Sequence, residues 1–127
     1  MSAVWHSGRE SVLLDDIIAG RKTIEGRLCK GKFAEYSAGD EVILRRDRRD
    51  ENGDLQDGLV PEVRVRIVAT RRYASFLEMI TAEGFRRVIP SAASSTEAAD
   101  VYNRYYSVSD QERYGVLAIE VQYIGRA

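Results

Sequence analysis

The stretch Gly20–Leu28, GRKTIEGRL, sets three cations, one carboxylate and two glycines within nine residues. A lysine works as a base or nucleophile only when its pKa falls from about 10.4 toward neutrality, through desolvation or neighbouring cations. Lys22 has Arg21 beside it and Arg27 close in sequence. Glu25 can take a proton from water or orient the ammonium. Arg27 offers a bidentate fork to a phosphate or a developing oxyanion. Gly20 and Gly26 would let a ligand approach the backbone closely. In a regular strand Thr23, Glu25 and Arg27 share a face while Lys22 points the other way. Lys22 joins them only if the chain bends after Gly20, as a helix C-cap or bulge allows. The competing reading of the same spacing is a solvated strand face carrying a weak Glu25–Arg27 ion pair.

Other residues invite weaker readings. Tyr102, Tyr105 and Tyr106 sit at helical spacing and could stack a base, or pack a core with hydroxyls at its edge. RRDRRD (45–50) with Arg64, Arg66, Arg71 and Arg72 could track a phosphate backbone, or form an exposed charged face. His6 is expected at the surface, and Cys29 as a small buried packer. With one histidine and one cysteine, a multi-histidine zinc site is impossible and an internal disulfide is excluded, so no metal and no cofactor is expected. No nucleophile elbow, Gly-rich phosphate loop or dinucleotide fingerprint is present. A net charge of −1 argues against broad, salt-driven duplex binding.

The elements that must hold these residues follow from periodicity and punctuation. Residues 9–19 carry Val12, Leu13, Asp16 and Ile17 on one helical stripe, and Gly20 stands where a left-handed cap belongs. KTIEGRLC reads as a strand, and a Gly39-Asp40 turn precedes a strand over 41–46. DRRDENGDLQDG reads as a mobile polar loop with Asn-Gly and Asp-Gly turns. EVRVRIVATRRY alternates as a half-buried strand with its arginines outward. Ser75 with Glu78 forms a capping box opening a helix, and Ser95 or Thr96 caps another. YGVLAIEVQYIG closes as an apolar strand. The 127 residues, 44% hydrophobic and 31% charged, suit one domain over residues 1–127 with a substantial core. The N-terminus lacks a signal-peptide core and no run spans a bilayer, so a cytoplasmic protein without membrane association is expected.

GRKTIEGR matches the G-x-K-x-x-E-x-R signature of the ASCH domain family through Gly20, Lys22, Glu25 and Arg27. YASFLEMITAEGFRRVIP, Y-x-x-Y-Y-S and YGVLAIEV resemble the same family in the same order, over essentially the whole chain. The resemblance implies an α+β fold: a small PUA-like, mostly antiparallel β-barrel with helices packed against it, the motif lining a cleft between them. Family members are described as RNA-binding modules and some as ribonucleases. Small single-domain members hydrolyse the amide of N4-acylated cytidines without a metal, using the motif Lys, a Thr at the motif's Glu position and a Glu on a later helical segment. Carried over, this gives Lys22, Glu25 in place of the Thr, and Glu83, with Glu78 as its rival. Gly20, Thr23, Arg27 and Tyr106 are then expected to bind substrate. The expected function is a metal-independent amidohydrolase acting on a nucleoside such as N4-acetylcytidine. The alternative is an RNA-binding module or ribonuclease using the same cleft on single-stranded or structured RNA.

Overall fold

Alternating Val63, Val65 and Ile67 build the inner face of a long strand, β5 (Pro61–Tyr73), with Arg64 and Arg66 on its outer face, as period-two patterning requires. The computed structural model describes residues 2–127. β5 pairs antiparallel with β3 (Glu41–Arg49) and with the C-terminal strand β6 (Val116–Arg126). β6 in turn pairs antiparallel with the motif strand β2 (Ile24–Leu28), and β3 pairs parallel with β1 (Val4–Glu10). The sheet order is therefore β1-β3-β5-β6-β2, with a short β4 (Leu55–Gln56) folded back on β3.

This corrects the expected barrel. The architecture is mixed α+β, but no backbone ladder joins β1 to β2, so the sheet stays open. Its two edges nevertheless approach, and they are bridged by side chains: Arg9 on β1 meets Glu25 on β2. A barrel removes its edges by backbone pairing. Here an ion pair occupies that seam, and the site lies in it.

Two apolar clusters explain why the sheet curls. Leu14 and Ile17 of α1 (Ser11–Ile18) fill the concave side with Val42, Leu44, Val63, Val65, Ile67, Leu117, Ile119 and Val121. On the other side, Val116 and Ala118 pack with Ile24 and Leu28 against Phe76, Met79 and Ile80 of α2 (Phe76–Glu83) and Ala98, Ala99 and Tyr102 of α4 (Ser95–Asn103). Strand β6 thus buries alternate residues in different cores, which accounts for its nearly continuous apolar run.

Several boundaries differ from expectation. β1 replaces the start of the first helix, because Ser7 and Arg9 face inward in a strand whose parallel partner lies far along the chain. The segment after residue 46 is no simple loop: β3 runs on to Arg49, and Asp50 accepts from the amides of Asn52 and Asp54 to turn the chain into β4. Ser75 caps α2 through the Glu78 amide, whereas Ser94 caps α4 in place of Ser95 or Thr96. Two further helices, α3 (Phe85–Val88) and α5 (Val108–Tyr114), complete the helical layer. Among the described residues no helix is long and apolar enough to cross a membrane.

Candidate functional site

Gly20 follows α1 with φ of 79°, a left-handed backbone that suits glycine and reverses the chain. The amides of Arg21 and Lys22 both donate to the Asp16 carbonyl, so the chain is still bending at Lys22 and becomes a strand only at Ile24. The bend resolves the facing problem. Lys22 Nζ comes within 3.3 Å of Glu25 Oε1 although a straight strand would set them on opposite faces. Within β2, Ile24, Gly26 and Leu28 face the helices, and Glu25 and Arg27 face the seam between sheet edges. Gly26 is fixed by contact: an added Cβ would stand 3.0 Å from the Tyr102 ring and 3.1 Å from Phe76.

Glu25 is the centre of a buried charge cluster. Its Oε2 lies 2.6 Å from Arg9 Nε and 3.4 Å from Arg27 Nη2, and its side chain is only 4% exposed. The Arg9 N–H does not point at the oxygen, so this is a charge contact without an aligned hydrogen bond on either atom. Burial pushes the Glu25 carboxyl up, but Arg9, Lys22 and Arg27 together outweigh it and hold the pKa at about 2. Burial and the neighbouring Arg27 pull Arg9 below its ordinary value despite Glu25. The solvated-face reading of Glu25 and Arg27 is therefore set aside by their surroundings.

Lys22 is the most thoroughly enclosed member, 1% exposed. Its Nζ donates to the carbonyl of Ile24 at 2.8 Å, to the carbonyl of Val88, and faces Glu25. Two carbonyls and the Glu25 carboxylate thus surround the ammonium and close it off from the cleft.

Above the cluster opens a cleft of about 260 Å³. Arg9, Glu25 and Arg27 form its floor; Leu13, Ile89 and Val101 line its wall; Leu55, Tyr105 and Arg49 stand at its mouth. Tyr102 and Tyr106 also line it, but Tyr102 stacks on Phe76 with centroids 4.6 Å apart and Tyr106 packs on the same ring at 5.1 Å. Their faces serve the core and their edges serve the cleft. Tyr105 is the exposed ring, its hydroxyl accepting from Arg49. Below the floor a second, enclosed space of about 10 Å³ is bounded by Arg9, Glu25 and Tyr36, whose buried hydroxyl has no hydrogen-bond partner.

The structure divides the residues singled out in the sequence. Glu25, Arg27 and Tyr106 meet in the cleft, while Lys22 contacts Glu25 from outside the cleft lining and borders the groove that holds Gly20 and Thr23. Gly20 and Thr23 line a separate shallow groove with Arg87 and Glu120, where Thr23 Oγ1 accepts from Arg87. Glu83 is held outside the cleft by Arg71 at 2.6 Å and the Tyr73 hydroxyl at 2.6 Å. Arg71 more than offsets the burial that would raise the Glu83 carboxyl, so its pKa lies below the ordinary range. Glu78 is likewise occupied, accepting from the Ala74 amide. Arg9, Glu10 and Arg49 are cleft residues that sequence reasoning did not single out for the site. Among the described residues no cluster of histidine, cysteine or acidic side chains could hold a metal ion.

The sign of the pH effect follows from the depressed carboxyls. Glu25, at about 2 when folded and near 4.5 when unfolded, contributes stability that is complete above pH 4.5 and is lost as pH falls toward 2. Glu83, shifted the same way, adds to it. Urea midpoints measured from pH 7 to pH 2.5 should stay level to about pH 5 and then drop steeply. Unchanged stability down to pH 3 would refute the buried charge cluster.

Comparison with known proteins gives a consistent picture. The ASCH domain model matches residues 10–125. The crystal structure of hypothetical protein PH0355 is similar, with 33% identity, a TM-score of 0.79, and 95% of this chain and 99% of that one covered. The solution structure of protein PF0455 from Pyrococcus furiosus is also 33% identical, with a TM-score of 0.72, covering 95% and 97% respectively. Protein EF3133 from Enterococcus faecalis V583, 14% identical at a TM-score of 0.60 and covering 99% of this chain and 78% of that one, shares the fold. No curated protein matches.

Proposed function

This chain belongs to the ASCH domain family, and from that premise we propose that it binds one nucleoside- or nucleotide-sized ligand in the cleft over Glu25 and Arg27. The observation that carries this is the pairing of a charged, donor-rich floor with an apolar wall in about 260 Å³. That volume lies just below the roughly 300–1,000 Å³ of sites for drug-sized ligands, which suits a single base with its sugar. Cytosine brings both kinds of polar group that such a cleft can use, an N4–H₂ donor for a carboxylate and an O2 carbonyl acceptor for a guanidinium.

Binding of a long RNA is the less favoured form of this reading. Five of the eight arginines that could follow a phosphate backbone are paired with carboxylates, leaving Arg48, Arg66 and Arg72 without one among the described residues. Arg64 pairs with Glu41, Arg71 with Glu83 and Glu120, Arg46 with Glu62 and Asp15, and Arg45 with Asp47 and Asp57. Cytidine should therefore bind with an affinity that changes less than about threefold between 50 and 200 mM salt, few phosphates being contacted. Weak cytidine binding together with oligoribonucleotide affinity falling by orders of magnitude over that range would overturn the small-ligand reading.

Hydrolysis of an N4-acylated cytosine nucleoside is a second reading of the same cleft. It is favoured by Arg9 and Arg27, whose guanidinium groups could stabilise the oxyanion formed when water attacks the amide carbonyl. It then requires Glu25 as the general base, because Lys22 is buried against the carbonyls of Ile24 and Val88 outside the cleft lining, and no hydroxyl but those of tyrosines lines the cleft. A carboxylate held at about 2 is far from the near-neutral value best suited to that role. Binding without turnover is accordingly the primary proposal. Release of cytidine from N4-acetylcytidine, absent in Glu25→Gln and undiminished by chelator, would establish the hydrolase instead.

A further inference from the structure

We infer that the floor of the cleft is an anion subsite for a phosphate monoester, so that the preferred ligand is a nucleoside monophosphate with its phosphate against Arg9 and Arg27. This rests on the reading of the cleft as a nucleotide-sized site and specifies which end of the ligand enters first. Arg9, Lys22 and Arg27 surround a single carboxylate, Glu25, leaving an excess of two positive charges in the cluster, of which Arg9, Glu25 and Arg27 face the cleft. Buried charge is normally compensated, because an isolated ion in a medium of low polarity is very costly. A phosphate monoester carries nearly two negative charges at neutral pH. It would bring the cluster close to neutrality, which a neutral base cannot do.

The donors fit as well as the charge. Arg9 Nη1 donates to the Gly8 carbonyl and Arg27 Nη1 to the Gly26 carbonyl, each at the arginine's own backbone. Those bonds fix both guanidinium groups while Arg9 Nη2 and Arg27 Nε make no hydrogen bond within the described residues. Arg9 Nε is itself buried and lacks an aligned acceptor. Prepositioned guanidinium forks with unspent N–H groups are the usual partners of phosphate oxygens. The remaining cation of the cleft does not compete. Arg49 is occupied by Glu10, the Gly53 carbonyl and the Tyr105 hydroxyl. With the phosphate on the floor, the base would lie outward against Leu13, Val101 and the exposed Tyr105 ring, where the wall is apolar.

The test is calorimetric titration of the full chain with cytidine, cytidine 5′-monophosphate, cytidine 3′-monophosphate and inorganic phosphate. At least one monophosphate should bind ~10-fold or more tightly than cytidine, the gain expected of charge-assisted bonds. Inorganic phosphate should compete with it, and Arg27→Gln should erase most of the difference between monophosphate and cytidine. Equal affinities for cytidine and both monophosphates overturn the anion subsite and leave the nucleoside reading standing. Binding of inorganic phosphate with no preference for either monophosphate supports the subsite and overturns the nucleotide reading. Absence of all binding overturns both. The comparison of ligands on the unmodified chain decides even if Arg27→Gln fails to fold.

Discussion

Glu25→Gln should cost about 3–5 kcal/mol of folding free energy, the range for breaking a buried ion pair by removing one partner. The amide keeps the shape of the side chain but leaves Arg9, Lys22 and Arg27 without their only common counter-charge. The cost falls on fold as much as on site, because Arg9 and Glu25 bridge the two edge strands where no backbone ladder exists. Urea unfolding should show a lower midpoint at an unchanged slope. The acid sensitivity of the wild type below pH 4.5 should also be smaller in the variant, with the share due to Glu83 remaining. A loss under 1 kcal/mol would mean that the cluster behaves like a surface ion pair.

Lys22→Ala and Lys22→Arg should both destabilise the fold by about 3 kcal/mol or more, for different reasons. Alanine removes the ammonium and strands the carbonyls of Ile24 and Val88 and one oxygen of Glu25. Arginine keeps the charge but forces a larger planar group into a site that is 1% exposed. A lysine serving as a proton carrier predicts another outcome: intact stability and selective loss of turnover. Lys22→Met, Glu25→Gln together should lose less than the sum of the two single changes, since each alone breaks the same contact. Full additivity would show that the two groups do not interact.

How much of this was legible beforehand varies with how local each signal is. The alternation of Val63, Val65 and Ile67 and the Ser75 cap are local and appear as read, although the Glu78 side chain accepts from Ala74 and not from Ser75. The Gly20 bend was legible as the condition under which Lys22 could reach Glu25. The spacing of Glu25 and Arg27 put them on one face, but nothing in it says that the face is buried. Arg9 was hidden because β1 is short of apolar residues on its inward face and takes its pairing from β3, some 37 residues away. Closure of the seam by an ion pair in place of a ladder is a tertiary outcome that no local pattern records. Glu83 fitted a sequence position yet lies with Arg71 and Tyr73, since matching along a chain carries no information about which way a helix terminus turns. The tyrosine stripe was ambiguous by nature: stacking and packing need the same spacing, and Phe76 takes the faces of Tyr102 and Tyr106.

The claim on which everything else rests is that one small ligand sits in the seam between β1 and β2. Mapping backbone amide shifts of the isotope-labelled chain during titration with cytidine and its monophosphates tests it most directly. Saturable changes should be confined to Gly8–Glu10, Leu13, Glu25–Arg27, Arg49, Leu55, Ile89 and Val101–Tyr106, the residues around the cleft. Changes confined to the outward arginines of β3 and β5, or none at ligand concentrations in the millimolar range, would contradict it.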